Sequence, residues 1–292
     1  MNILSFDIEE WALAKTGGYG DSDLFVKYDS ILNSILDVLD KRGFKGTFFC
    51  TGMMATDFPG VVKLIHARGH EIGCHSFRHT WLNKMTEDEV SEDTRTSIDS
   101  LEQCIGEKIQ SYRAPAFSIG ESNKWAFEIL TRYGITRDAS IYQAERDFGG
   151  FVKFGQDKPT VVSCKQASFK EFPVRLTNVL GHEVAFSGGG YFRFFPLRFV
   201  KKEMVKADYT MTYIHIADLI PEASGVMNKK DFEEYYKIPG TLKNRYLRFV
   251  KTNLGKKNAF TKMVELINTE EFVNIEQADK LLNWEQMPSV VL

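Results

Sequence analysis

Cysteine is scarce in this chain. Cys50, Cys74, Cys104 and Cys164 are the only four in 292 residues, and they form no C-x-x-C pair and no knuckle spacing. That argues against a disulfide scaffold and favours a reduced, cytoplasmic protein. The N-terminus, Met1-Asn2-Ile3-Leu4-Ser5-Phe6-Asp7, lacks a basic n-region, an apolar h-region and a small-residue cleavage site. No apolar run approaches the roughly 18 residues of a membrane span. An excess of one charge is missing too: 37 Lys and Arg against 39 Asp and Glu give a formal charge of −2. With no basic tail or stripe evident, the balance argues against a nucleic-acid protein. Aromatic residues are plentiful, at 13% with 23 Phe and 11 Tyr, which suits a filled core and a sugar-binding groove equally.

Local patterns alternate between strand and helix. Ile3–Asp7, Gly46–Cys50 and His70–His75 are short apolar runs that read as buried strands. Between them, Phe25–Lys41 repeats Ile31, Ile35, Leu36 and Leu39 at helical spacing and stops before Gly43, while Val61–Ala67 stops before Gly69. Thr86 followed by Glu89 is a capping-box pattern opening a helix that runs to Ile105, and Trp125–Tyr133 is a further helix closed by Gly134. Such a rhythm predicts an α/β fold with a parallel sheet wrapped by helices, open or barrel-shaped. A polar loop is expected at 8–23, containing Gly17, Gly18 and Gly20. Small hairpins or an inserted loop region are expected across 141–190, with short runs at 151–154 and 161–163. Later come a helix at Leu197–Lys206, a strand at Met211–Ile216, one long helical pattern over 241–268, a strand and short helix at Thr269–Leu281, and a frayed end. Without repeat or linker, the chain reads as a single domain, with a core of about 1–220 and an extension of about 221–292.

Several clusters bear chemistry. Asp7 and Glu9 stand two apart at the end of the first strand, and so point the same way if Ile8 faces the core. Catalytic groups gather at the carboxyl ends of parallel strands. His75 and His79 are four apart, a spacing that at helical pitch brings two rings to one side, as in zinc ligand pairs. Two imidazoles and one carboxylate form a catalytic zinc set that leaves a position for water. Arg113 precedes Ala114-Pro115-Ala116-Phe117 and is suited to clamping a carboxylate, with Pro115 and Phe117 shaping a cleft wall. Asp138 either orients another side chain or caps a turn. His215 lies in an apolar run, where a satisfied core role competes with a functional one, and Asp218 is a rival partner for it. His66 and His70 are also four apart, but one lies on a surface helix and the other in its cap.

The order of these clusters resembles the polysaccharide deacetylase family, also called the chitooligosaccharide deacetylase homology domain. An acid pair on the first strand, His75-Ser76-Phe77-Arg78-His79, Arg113-Ala114-Pro115-Ala116-Phe117, an aspartate at Asp138 and the late His215 follow the family's motifs over residues 3–220. The stretch Ser187–Arg193 and the tail from Lys229 to Leu281 resemble the subgroup associated with bacterial exopolysaccharide synthesis. One departure stands out: the usual pair is two adjacent aspartates, whereas here Asp7 is followed by Ile8, Glu9 and Glu10. Relatives with acid-x-acid at this point make Glu9 the expected third ligand, in agreement with the strand parity, with Glu10 in reserve.

The resemblance implies a distorted, incomplete (β/α) barrel with a groove for long substrates. It implies a divalent metal, zinc before cobalt or nickel, on Glu9, His75 and His79, and removal of N-acetyl groups from hexosamine units of a glycan or glycan intermediate. Asp7 would be the base, Arg113 its holder, His215 the acid and Asp138 the group orienting it. Trp11, Tyr191 and Phe192 are candidate sugar-facing aromatics. The oxyanion donor is expected at a backbone N–H just after Tyr112 or near Phe49. Rival activities on the same site are amide hydrolysis of a small nitrogenous compound, O-deacetylation, and glycan binding without catalysis.

Overall fold

A computed structural model describes the chain apart from residues 17–21, 145–148, 166, 223, 224 and 237. Thirteen strands are described: β1 (Asn2–Ile3), β2 (Ser5–Ile8), β3 (Thr47–Cys50), β4 (Glu71–Cys74), β5 (Ser111–Tyr112), β6 (Arg137–Asp138), β7 (Thr160–Cys164), β8 (Ala167–Glu171), β9 (Leu176–Val179), β10 (His182–Ala185), β11 (Thr210–Met211), β12 (Ile214–His215) and β13 (Ser289–Val291). The main sheet runs β12-β2-β3-β4-β5-β6-β8-β7-β13. It is parallel from β12 through β6 to β8, and β7 then pairs antiparallel with β8. β1 pairs with β11, and β9 with β10 forms a separate hairpin. Every residue of β2 and β3 is buried, as a parallel strand covered on both faces requires.

The helices that cover the strands bury the stripes expected of them. In Ser22–Arg42, Leu32, Ile35, Leu36 and Leu39 are buried, each stabilising the fold by about 1.5–3 kcal/mol relative to exposure. The capping box at Thr86 and Glu89 forms, and Gly106 ends that helix in the left-handed conformation at φ 77°. The C-terminal part shares this core: Met263, Leu266 and Ile267 of the helix Ala259–Thr269 are buried, and that helix packs on Ser22–Arg42. The parallel sheet and its covering helices fit the distorted, incomplete (β/α) barrel that the resemblance implied.

Departures from the expected elements have local causes. Glu10–Thr16 is a helix rather than loop, held by Trp11, whose ring packs on Tyr28 at 5.1 Å. Gly17, Gly18 and Gly20 lie outside the described residues. Val152–Phe154 is a single 3-10 turn, whereas 160–164 does enter a hairpin with β8. The late strand is split: β11 pairs with β1, β12 pairs with β2, and a short helix, Ile216–Leu219, follows at once. The long pattern over 241–268 is two helices, Leu242–Asn253 and Ala259–Thr269. Gly255 breaks it at φ 77°, where a Cβ would sit 2.3 Å from the Arg193 carbonyl oxygen. The C-terminus does not fray: β13 closes the sheet beside β7, with Ser289 opposite Val161.

Candidate metal and catalytic site

The sheet brings four separated segments to one edge. In the ladder Asp7 lies opposite Phe49 and opposite His215, and Cys74 lies opposite Cys50 and Tyr112. The residues just past these strand ends, Glu9, His75 and Arg113, therefore converge. Ile8 is fully buried, so Asp7 and Glu9 share the cleft side.

The histidine loop is built by backbone contacts, not by a helix. Residues 75–80 have no helical assignment, and Ser76 and His79 adopt left-handed φ of 59° and 58°. The N–H groups of Gly52 and Met53 donate to the carbonyls of Ser76 and Phe77, and the Asp93 carboxylate accepts from Phe77 N–H at 3.0 Å. A Cβ at Gly52 would sit 2.3 Å from the Phe77 ring, which is why the loop can lie so close. Ala116 and Phe117, at φ 53° and 54°, are strained in the same way on the facing loop. Non-glycine residues held there cost free energy that tertiary packing must offset, and such strain collects at functional sites.

His75 Nδ1 is 2.7 Å from the Arg113 carbonyl oxygen, which turns Nε2 toward Glu9. Glu9 Oε2 lies 3.4 Å from His75 Nε2 and 2.7 Å from His79 Nε2. Ligand atoms of the three residues all fall within 4.8 Å of one another, and they form the one such group of His, Cys, Asp or Glu found among the described residues. A buried N, N, O donor set converging in this way suits a divalent cation. Burial pushes the Glu9 carboxyl up, but His79 and His75 outweigh it and hold it well below the ordinary range. Glu10 points elsewhere: its carboxylate accepts from Ala217 N–H at 2.8 Å and from Glu9 N–H at 3.3 Å.

Beside this group, Arg113 Nη1 binds Asp7 Oδ1 at 2.7 Å, and its other nitrogens donate to Ser5 Oγ and the Ala139 carbonyl. The guanidinium carbon lies 4.2 Å from the Phe49 ring centre. Gly73 makes room for that ring, since a Cβ there would stand 2.5 Å from it. Burial raises the Asp7 carboxyl, while Arg113, His75 and His215 together hold it below its usual value. His215 completes the arrangement. Its Nε2 is 3.8 Å from Asp7 and 3.5 Å from Glu9, and its Nδ1 is 3.2 Å from Asp218. Burial pushes this imidazole down, but the bond to Asp218 and the carboxylates of Glu9 and Asp7 raise it well above its ordinary value.

The partner of His215 is thus Asp218, not Asp138. Asp138 accepts from Ser140 N–H and Oγ, both at 2.9 Å, and shares a buried region with Glu171. Ser140 Oγ in turn accepts from Ala114 N–H, so Asp138 steadies the Arg113 loop from behind. Arg193 Nε holds the other oxygen of Asp218 at 3.2 Å. Neither Arg193 in this role nor Glu171 was evident beforehand; each lies far along the chain from its partner, with no spacing signal.

A groove of about 680 Å³ opens over the site. Ala114, Ala116 and Phe117 line it, whereas Pro115 is buried and is not among the lining residues. Tyr191 lines it half-exposed. Trp11 and Phe192 do not face sugar: both are buried, Trp11 with its indole N–H on Asp29 at 3.0 Å. The N–H of Arg113, just after Tyr112, donates to the Cys74 carbonyl at 2.9 Å and is spent on the ladder, so it is not an oxyanion donor. His66 faces Glu107 at 3.7 Å, whereas His70 Nδ1 accepts from Gly46 N–H, so that second histidine pair does not converge on a cation.

Residues 20–137 match the family model described as polysaccharide deacetylase, and residues 139–279 match one described as a domain of unknown function, DUF3473. Residues 20–137 thus carry a polysaccharide deacetylase domain, followed by the second matched segment. It is 33% identical over 127 residues to a peptidoglycan-N-acetylglucosamine deacetylase of Bacillus cereus, covering 41% of this chain and 46% of that protein. It is 28% identical over 113 residues to the peptidoglycan-N-acetylmuramic acid deacetylase PdaA of Bacillus subtilis, covering 37% and 43%. The chain thus spans a little under half the length of these curated relatives. A crystal structure from Mycobacterium smegmatis, assigned to the polysaccharide deacetylases, shares the fold with a TM-score of 0.64 at 19% identity, over all of this chain and 92% of the other.

Proposed function

We propose that this protein is a metal-dependent hydrolase that removes N-acetyl groups from hexosamine units of an oligosaccharide or polysaccharide, or of a glycan intermediate. The observation that carries the reading is the convergence of Glu9, His75 and His79 beside the Asp7–Arg113 pair and His215, in one groove. Glu9, His75 and His79 would hold a divalent cation, zinc before cobalt or nickel, which would supply Lewis acidity at the acyl group. Asp7, kept ionised by Arg113 at 2.7 Å, takes a proton from the attacking water. The new bond joins water oxygen to the acetyl carbon, and the carbon–nitrogen bond breaks. His215, with Nδ1 on Asp218 and Nε2 toward the cleft, gives the departing nitrogen its proton, so the products are acetate and a free amine. Tyr191 and Phe117 form apolar wall for sugar rings.

A cytoplasmic place of action belongs to the same proposal and is supported by four free cysteines. Cell fractionation that recovers the protein outside the membrane would refute it. The activity test is acetate release from a panel of N-acetylated hexosamine oligomers by zinc-supplemented wild type and Asp7→Asn. Release that falls at least about a hundredfold in the variant, with metal retained, is expected. Release only from O-acetylated glycans, or from small amides, would assign the site to a different reaction. Release from none of these would leave the protein a glycan binder.

A further inference from the structure

We propose that the helix Leu242–Asn253 docks this protein onto an anionic phospholipid surface, with the rim of the groove against the bilayer. The helix is amphipathic in the inverted sense. Leu242, Tyr246, Leu247 and Val250, continued by Leu254, lie along one side and are 41–74% exposed. No residue of this helix is buried. Its inward side is polar: Arg245 Nε donates to the Met227 carbonyl at 2.7 Å, Arg248 lies 4.5 Å from the Tyr236 ring, and Arg193 donates to the carbonyls of Lys251 and Thr252. A helix that stabilises a core does the reverse. A contiguous apolar face left toward water marks a surface that something covers.

Charge identifies what covers it. Residues 235–264 hold eight Lys or Arg and no Asp or Glu, a basic stretch that the overall balance conceals; among the described ones Lys243, Lys251 and Lys257 are exposed, whereas Lys256 is buried and Lys262 donates to the carbonyls of Phe192, Arg193 and Phe195. The other 29 basic and 39 acidic side chains leave the remainder of the chain at −10. Such a molecule is drawn to an anionic plane by one face and repelled by the rest, which sets its orientation as well as its binding. Lys243 and Lys251 are exposed on the helix, as expected of an interfacial basic helix. A second copy would press like charges together across a two-fold axis, so self-association fits the face poorly. No described helix is long and apolar enough to cross a membrane, so the contact lies on the surface. The face is continuous with the groove, because Lys251 and Leu254 line it together with the exposed Tyr191 and Phe194.

The test is co-sedimentation of the full chain with vesicles of phosphatidylcholine alone, or with about one-third phosphatidylglycerol. It needs neither metal nor substrate, so its outcome is separate from that of the hydrolase reading. Anionic vesicles should bind about tenfold more tightly than neutral ones, and the difference should shrink at high salt. Leu247→Glu/Val250→Glu, and separately Lys243→Glu, should each bring binding down to the neutral-vesicle level with an unchanged thermal melt. Should the apolar pair disturb folding, the salt dependence and Lys243→Glu still decide. Equal binding to both vesicle types, no binding to either, or variants that bind like wild type would overturn the proposal. So would a dimer in sedimentation equilibrium that Leu247→Glu dissociates.

Discussion

Replacing Asp218 by Asn tests the role given to His215. The variant keeps the side chain's shape but removes the charge that faces Nδ1 at 3.2 Å and Arg193 Nε at 3.2 Å. Two unit charges at 3.2 Å attract by about 5 kcal/mol at an effective dielectric near 20. Solvent reduces this, because His215 is about one-third exposed, while Arg193, once unneutralised, adds a repulsion that acts in the same direction as losing Asp218. A net loss of about 1.5–3 kcal/mol corresponds to a fall of roughly one to two pKa units. A cation held by Glu9 would weaken that carboxylate's own pull on the ring, leaving Asp218 the main support. The sign follows: the folded-state value of His215 is raised, so its charged form is present at low pH and is lost as pH rises through that value. Removing Asp218 moves the loss to lower pH. The assay is titration of the His215 ring by NMR beside the pH profile of acetate release. Both should shift downward by one to two units in the variant, with the alkaline limb of activity following the ring. A ring that titrates as in wild type, in a folded variant, would refute the assignment of Asp218 as the group that holds the acid charged.

Further outcomes follow from the geometry. Gly73→Ala should destabilise the fold by about 1–3 kcal/mol and weaken the Asp7–Arg113 pair, because a Cβ at that position would stand 2.5 Å from the Phe49 ring beneath Arg113; a melt unchanged within 1–2 °C would contradict this. Burial first, then the nearby Asp138 carboxylate, raises Glu171 well above its usual value, and burial lifts Asp138 to about 6. Because both folded-state values are raised, their contribution to stability is present at low pH and is lost as pH rises, through about 6 for Asp138 and through Glu171's own raised value. Glu171→Gln should therefore lose less stability than wild type between pH 5 and 8, by on the order of 1–3 kcal/mol, and parallel denaturation midpoints would refute the raised values of this pair. Glu10→Gln should leave cation retention intact, while Glu9→Gln should reduce it sharply; the reverse order would exchange their roles.

Much of this arrangement was legible because it rests on local rules. The period of the apolar residues gave the βα order, and the Thr86–Glu89 box placed one helix start to the residue. Parity along one strand separated Glu9 from Glu10. The histidine pair was found for a partly mistaken reason: its spacing suits a helix, but the rings meet across a loop in which Ser76 and His79 are left-handed. What stayed hidden depends on long-range packing. Whether Asp138 or Asp218 serves His215 is decided by where β12 ends and the short helix Ile216–Leu219 begins, and no periodicity reports that. Trp11 and Phe192 carry the composition of a sugar groove but the surroundings of a core. The helix Leu242–Asn253 reads as an ordinary amphipathic one until its outward face is known, and the acid-free run from 235 to 264 is the signal that would have exposed it.

The most direct test of the central claim is metal content per chain after dialysis, for folded wild type beside His75→Ala/His79→Ala. The account predicts one divalent cation per wild-type chain, lost in the double variant. A wild-type chain that holds no cation even after zinc, cobalt or nickel is added back, or a double variant that retains its cation, would contradict it.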